Sequence, residues 1–134
     1  MTMIKSSSQE LHTEQDIVRT RQIVRKITQE LQFSLVDQTK MVTAASELAR
    51  NAVLHGGGGE VLVDVLSEGG KSGLRLTFVD SGPGIPDIGL AMTDGWTSGH
   101  GLGLGLTGAK RLSNEFNIES RLGHGTRVTI TRWK

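Results

Sequence analysis

The stretch EVLVDVLSEGGKSGLRLTFVDSGPG, residues 60–84, decides the architecture. Glu60 to Leu66 is dominated by Val and Leu, and Leu74 to Val79 alternates around Arg75 and Thr77, the composition of two strands. The SEGGKSG between them supplies turn residues, so a hairpin is predicted. The run closes on Asp80-Ser81-Gly82-Pro83-Gly84, where a carboxylate can stand at a sheet edge beside glycines that let backbone approach a ligand closely. A carboxylate there can accept a hydrogen bond from the exocyclic amine of adenine, where guanine presents an acceptor instead. An ordinary Asp-Gly-Pro turn is an equally available reading.

Towards the start of the chain, Thr13 and Asp16 have the form of a capping box, and Ile17, Val24, Ile27 and Leu31 recur at the spacing of one helical face. A first helix is predicted from about Glu14 to Leu31. Ser34 and Asp37 repeat the capping signature. Val42, Ala45, Leu48, Ala49, Ala52 and Val53 then mark a second amphipathic helix, ending near His55. Beyond the hairpin, Leu104 to Leu112 reads as a third helix, and Phe116 to Glu119 and Thr126 to Trp133 as two closing strands. Strands in sequential runs, without strict alternation with helices, predict an α+β, two-layer α/β sandwich with helices on one face of a mostly antiparallel sheet. A single domain over residues 1–134 is expected, because a chain this short fills one core.

Composition narrows the function classes. With 15 basic and 14 acidic residues the formal charge is +1, so nothing argues for a nucleic-acid partner. The absence of cysteine removes disulfides, thiol catalysis and cysteine metal sites, and a reducing cytoplasm fits it. The opening MTMIKSSSQE has neither the apolar core of a signal peptide nor the roughly 20 apolar residues of a membrane span. A soluble, intracellular protein that does not engage membranes is therefore expected. The anomaly is glycine, 18 residues gathered mainly at 56–59, 82–89 and 95–108, with a pair at 123 and 125. They carry none of the Pro or Ser bias of a linker, so positional roles are expected.

Glu47 and Asn51 sit four apart on the second predicted helix and project from one face. Asn51 could offer an oxygen to a magnesium ion holding phosphates, and Glu47 could polarise an attacking hydroxyl or water, although the spacing alone favours an exposed polar face. Ser98-Gly99-His100-Gly101-Leu102-Gly103-Leu104-Gly105-Leu106 leads into the third helix, where free backbone amides and the helix dipole can cradle phosphates. A flexible loop is the alternative, but alternating leucines need somewhere to pack. Two further patterns carry little weight. Gly103 to Gly108 fits GxGxxG without a preceding strand, and Gly70-Lys71-Ser72 echoes a P-loop while lying in a hairpin turn. The four histidines show no paired ligand spacing, so no zinc site is expected.

In this order, the pair Glu47/Asn51, the DSGPG at 80–84, the GHGLGLGL at 99–106 and Gly123-His124-Gly125-Thr126 resemble the N, G1, G2 and G3 boxes of the GHKL ATPases. The resemblance runs from about Thr13 to Lys134. It is nearest to the RsbT-type switch serine/threonine kinases of bacterial partner-switching and stressosome modules, through Asp16-Ile17-Val18, Ser46 to Asn51, Asp94 to Ser98, Ala109 to Leu112 and Arg132-Trp133-Lys134.

That resemblance implies a Bergerat-type sandwich binding ATP with Mg2+. It implies Glu47 as catalytic base, Asn51 as magnesium ligand, Asp80 as adenine contact, and Gly82 and Gly84 as points of close backbone approach. The stretch Gly101, Leu102, Gly103, Leu104, Gly105 and Leu106 would wrap the phosphates, and Thr126 would support the adenine side. Residues 86–101 would form a short lid, with Trp96 either packing on it or facing a partner, packing being the favoured role. Lys110 and Arg111, read as lying near the start of the third helix, could help neutralise phosphates, with a solvated face the stronger reading for Arg111. The implied substrate is a serine or threonine of a STAS-domain protein, and release from that scaffold would let the kinase activate a metal-dependent protein phosphatase. A related anti-sigma factor is the main alternative. A sensor histidine kinase is less expected, since 134 residues leave no room for a dimerisation helix pair. A nucleotide-binding scaffold that transfers no phosphate is the third. The glycine run after the N box departs from the family pattern and leaves the end of the second helix open.

Overall fold

A computed structural model of the chain describes residues 1–84 and 102–134. Five strands, β1 (Thr2–Leu11), β2 (Gly59–Glu68), β3 (Lys71–Asp80), β4 (Glu115–Arg121) and β5 (Gly125–Trp133), form one sheet in the order β1-β2-β3-β5-β4. Every neighbouring pair is antiparallel. Three helices, α1 (Glu14–Glu30), α2 (Leu35–Leu54) and α3 (Leu102–Leu112), complete the described elements. The α+β sandwich expected from the strand runs is the fold observed.

Local signals act where the sequence places them. Thr13 accepts from the Asp16 N–H, and Asp16 Oδ2 accepts in return from the Thr13 N–H at 3.1 Å, closing the capping box of α1. Ser34 caps α2 through the Asp37 N–H. Glu68 pairs directly with Lys71, so Gly69 and Gly70 alone make the hairpin turn, both with positive φ as such a turn requires. The hairpin strands run one to three residues beyond the predicted limits at each end, because the ladder continues past the apolar residues that reveal it.

One strand has no counterpart in the sequence reading. β1 runs along β2 in a register that sets Ser7 opposite Val63 and Gln9 opposite Val61, with an irregularity between Met3 and Lys5. Its side chains are almost all exposed apart from Leu11, so backbone pairing at a sheet edge holds it, and no hydrophobic alternation announces it.

The alternate residues Val61, Val63 and Val65 of β2, Leu74, Leu76 and Phe78 of β3, and Val128 and Ile130 of β5 are buried under the helices. They meet Ile17, Val24 and Ile27 of α1, Met41, Ala45, Leu48 and Ala52 of α2, and Leu106 and Ala109 of α3 in one core cluster. Cross-strand register arranges that face in rows, one of which is Val61–Phe78–Val128–Ile118. The next row, two residues on, is Gly59–Asp80–Thr126–Ser120, and there the apolar layer gives way to polar groups. The candidate site lies along that row.

Candidate functional site

Asp80 ends β3 on the helix-facing side of the sheet. Its Oδ1 accepts from the Gly82 N–H at 3.0 Å and from the Thr126 N–H at 3.3 Å, fixing the carboxylate on two backbone amides. Burial pushes its pKa above the usual aspartate value, opposed by those two amide bonds. Glycines surround it because little else fits. A Cβ on Gly56 would strike the Asp80 carboxylate, one on Gly59 the carbonyl oxygen of Val79, one on Gly125 that of Asp80, and one on Gly82 the backbone of Gly56. Gly125 also has φ +98, a conformation that penalises any side chain.

Two loops converge beside this group. The Gly123 N–H donates to Pro83 O at 2.9 Å, and a Cβ on Gly84 would strike Arg121 O, so the DSGPG loop lies against the β4–β5 turn. A cavity of about 180 Å3 opens at this end of β3, β4 and β5, lined by Asp80, Ser120 and Thr126 together with Val79, Glu119 and Arg127 of the row facing the other way and with Arg121, His124 and Gly125. The Thr126 and Ser120 hydroxyls are 2.9 Å apart, and Ser120 donates to Gly125 O at 3.2 Å.

The end of α2 forms the other wall. The Gly56 N–H donates to Asn51 O at 3.0 Å and the Gly58 N–H to Ala52 O at 2.8 Å, so the glycine run closes the helix and turns Gly56 onto Asp80. The helix therefore stops at Leu54 and His55 is its cap, which settles the boundary the sequence left open. One turn back, Asn51 is half-buried and its Nδ2 is buried without a hydrogen-bond partner among the described residues. Amide nitrogen and oxygen exchange by a half-turn, so this side chain can aim an unsatisfied oxygen into the site, which fits one protein ligand for a magnesium ion otherwise held by water and phosphate. Glu47, one turn further back, is exposed.

The third helix packs against α2 and starts at Leu102, two residues earlier than expected, which places Gly103 and Gly105 in its first turns. Backbone amides of a first helical turn lack intrahelical partners and remain available to an anion. Leu106 is 1% exposed in the core, so any ligand contact there would come from its backbone. Gly101, Trp96 and the rest of the expected lid lie outside the described residues. Lys110 and Arg111 need correction: they occupy the last turn of α3, where cations complement the helix dipole, at the opposite end from its free amides.

The structure thus gathers Asn51, Asp80, Gly82, Gly84 and Thr126 around one end of the sheet. Sequence reasoning missed Gly56, Gly59 and Ser120. The glycine run at 56–59 was the available signal for the first two, whereas only strand register reveals Ser120.

The model of the family described as histidine kinase-, DNA gyrase B- and HSP90-like ATPases matches residues 36–134, and the chain belongs to that family. The resemblance carried by its four glycine and polar motifs is borne out. Among its relatives, the serine/threonine-protein kinase RsbT of Bacillus subtilis is 46% identical over 121 residues, covering 90% of this chain and 91% of that one. An anti-sigma F factor of Geobacillus kaustophilus is 31% identical over 119 residues, covering 84% and 80%. The crystal structure of the RsbU and RsbW domains of Rv1364c from Mycobacterium tuberculosis superposes with a TM-score of 0.64 at 24% identity. That match covers 98% of this chain and about a third of the longer one, and it shows the shared fold.

Proposed function

We propose that this protein is a serine/threonine-protein kinase of a bacterial partner-switching module, transferring the γ-phosphate of ATP to a serine or threonine of a STAS-domain protein. The observation that carries this reading is the 46% identity with a serine/threonine-protein kinase across 90% of the chain. Identity with the anti-sigma F factors, 28% to 34%, is lower, which favours the kinase over sequestration of a sigma factor. On this reading the protein, once released from its scaffold, activates a metal-dependent protein phosphatase.

On this reading each residue takes the role that its position supports. Asp80, held by the amides of Gly82 and Thr126, accepts from the exocyclic amine of adenine, and the close backbone of Gly82 and Gly84 lets the base approach. The first-turn amides of α3 receive phosphate oxygens. Asn51 would hold a magnesium ion through its side-chain oxygen, and the ion would supply charge neutralisation to the phosphates. Glu47, exposed to an incoming protein side chain, takes the proton of the attacking hydroxyl as the phosphoryl group moves in line.

The test is transfer of label from γ-labelled ATP with magnesium to a STAS-domain protein encoded nearby, run beside Glu47→Ala and an ADP-binding control. Transfer by the wild type that falls by about a hundredfold or more in the variant, with ADP binding kept, supports the kinase and its base. Equal transfer by Glu47→Ala removes Glu47 from the mechanism. Stable capture of a sigma factor without transfer to the STAS protein replaces the kinase reading with the anti-sigma one.

A further inference from the structure

Two side chains of α2 next to Glu47 stand outside the nucleotide site. At about 100° of rotation per residue, Asn51 lies about 40° to one side of Glu47 around the helix axis and Arg50 about 60° to the other. Leu54 is about 20° from Glu47 on the Arg50 side, two turns on. Along the axis, Arg50 and Leu54 are about 4.5 Å and about 10 Å beyond Glu47. Arg50 is turned towards the first turn of α1, where its Nη1 lies 3.7 Å from Glu14 Oε1.

Both side chains are open to an incoming surface. Leu54 is 55% exposed. The Arg50–Glu14 contact is long, and its side chains are 41% and 68% exposed, so it adds little to stability and gives way easily to another carboxylate. A serine or threonine presented to Glu47 arrives on a protein. A stable protein–protein contact covers about 800 Å2 of each partner, a patch roughly 30 Å across. With the nucleotide on the Asn51 side of Glu47, the partner's surface spreads over the Arg50 side. Covering an arginine leaves a charge without water unless a carboxylate meets it, and covering a leucine favours an apolar side chain.

We propose that Arg50 and Leu54 form the docking subsite for the protein substrate, Arg50 pairing with a carboxylate and Leu54 packing on an apolar side chain, both flanking the acceptor hydroxyl. Glu14 holds the guanidinium in the free protein and is displaced by the substrate's carboxylate. The inference rests on the reading of Glu47 as the base of a protein kinase.

The experiment measures KM for the STAS-domain protein, kcat and ADP affinity for the wild type and for Arg50→Ala, Arg50→Glu, Leu54→Ala, Glu14→Gln and Glu47→Ala. Arg50→Ala is expected to raise KM roughly tenfold and Leu54→Ala roughly fivefold, with kcat at saturation and ADP affinity kept, the signature of lost substrate binding. Glu14→Gln removes the competitor and is expected to lower KM roughly twofold, a gain that a merely structural ion pair would not give. Arg50→Glu is expected to lose transfer and to regain it when one acidic residue near the acceptor on the substrate is reversed to lysine. Unchanged KM in the Arg50 and Leu54 variants overturns the subsite. A loss of ADP affinity that matches the rise in KM assigns Arg50 to the nucleotide and overturns it as well. Failure of every acidic reversal to restore Arg50→Glu removes the carboxylate pairing. Undiminished transfer by Glu47→Ala, or no transfer by the wild type, overturns the reading beneath the inference, and the subsite with it.

Discussion

Gly56 lies against Asp80, 24 positions further along the chain, so tightly that a methyl group added to it would fall 2.6 Å from the Asp80 Oδ2. The contact joins the end of α2 to the end of β3, and with them the two walls of the site. Gly56→Ala is expected to displace the carboxylate and weaken ADP binding by roughly tenfold or more. Gly57→Ala is the control, since nothing lies within 4 Å of its added Cβ. Its φ of +72 means that the cost, about 1 kcal/mol, appears in urea unfolding while ADP binding stays intact.

The buried charge of Asp80 is held at a cost to stability. Its folded pKa stands above the ordinary 3.8, chiefly because burial disfavours the charge. The folded state therefore holds its proton more tightly than the unfolded chain does. Its contribution to stability is fully present below 3.8 and lost as pH rises through the raised value. Asp80→Asn should accordingly unfold at higher urea than the wild type at pH 7, with the gap closing in acid below 3.8, while it loses ADP binding. Urea titrations of the nucleotide-free proteins across that window check the sign.

Asn51 separates folding from binding in a different way. With its Nδ2 buried and unpartnered, the amide contributes little to the free protein. Asn51→Ala should melt within a few degrees of the wild type without nucleotide, and bind ATP roughly tenfold more weakly with magnesium present. Chelating the magnesium should erase the difference in affinity. A difference that persists in chelator would assign Asn51 to the nucleotide instead of the cation.

Far from the site, Arg132 of β5 ties three elements together. Its guanidinium donates to Asp37 Oδ1 at 2.8 Å, near the start of α2, and to Leu112 O at 3.2 Å, at the end of α3. Both charged side chains are largely shielded from solvent. Arg132→Ala should therefore cost about 2 kcal/mol in equilibrium unfolding, and a double-mutant cycle with Asp37→Ala should recover much of it as coupling. Coupling near zero would make the contact a surface pair of no consequence.

Much of this molecule is legible in the sequence, for local reasons. The caps at Thr13 and Ser34, the helical spacing from Ile17 to Leu31 and the Gly69-Gly70 turn depend on neighbours within a few residues, so their elements are found close to where they are predicted. The same holds for the carboxylate at the end of β3 and for the Glu47/Asn51 pair, which one turn of helix brings to one face. What is local in the chain is local in space.

The remainder was decided by tertiary structure. β1 is a strand only because β2 offers it an unpaired edge, and its exposed serines carry no pattern of their own. Gly56 reads as part of a loose glycine run until α2 and β3 come together around it. Ser120 reads as a polar residue in a strand until the register of β4 on β5 sets it beside Thr126. Sequence by itself determined the three helices, the strands β2 to β5, and which segments bear polar groups suited to a nucleotide. Only the packed sheet decided which of those groups meet, because hydrogen bonds and steric contacts act over a few ångströms, whereas Asp80 and Thr126 are separated by 46 positions of chain.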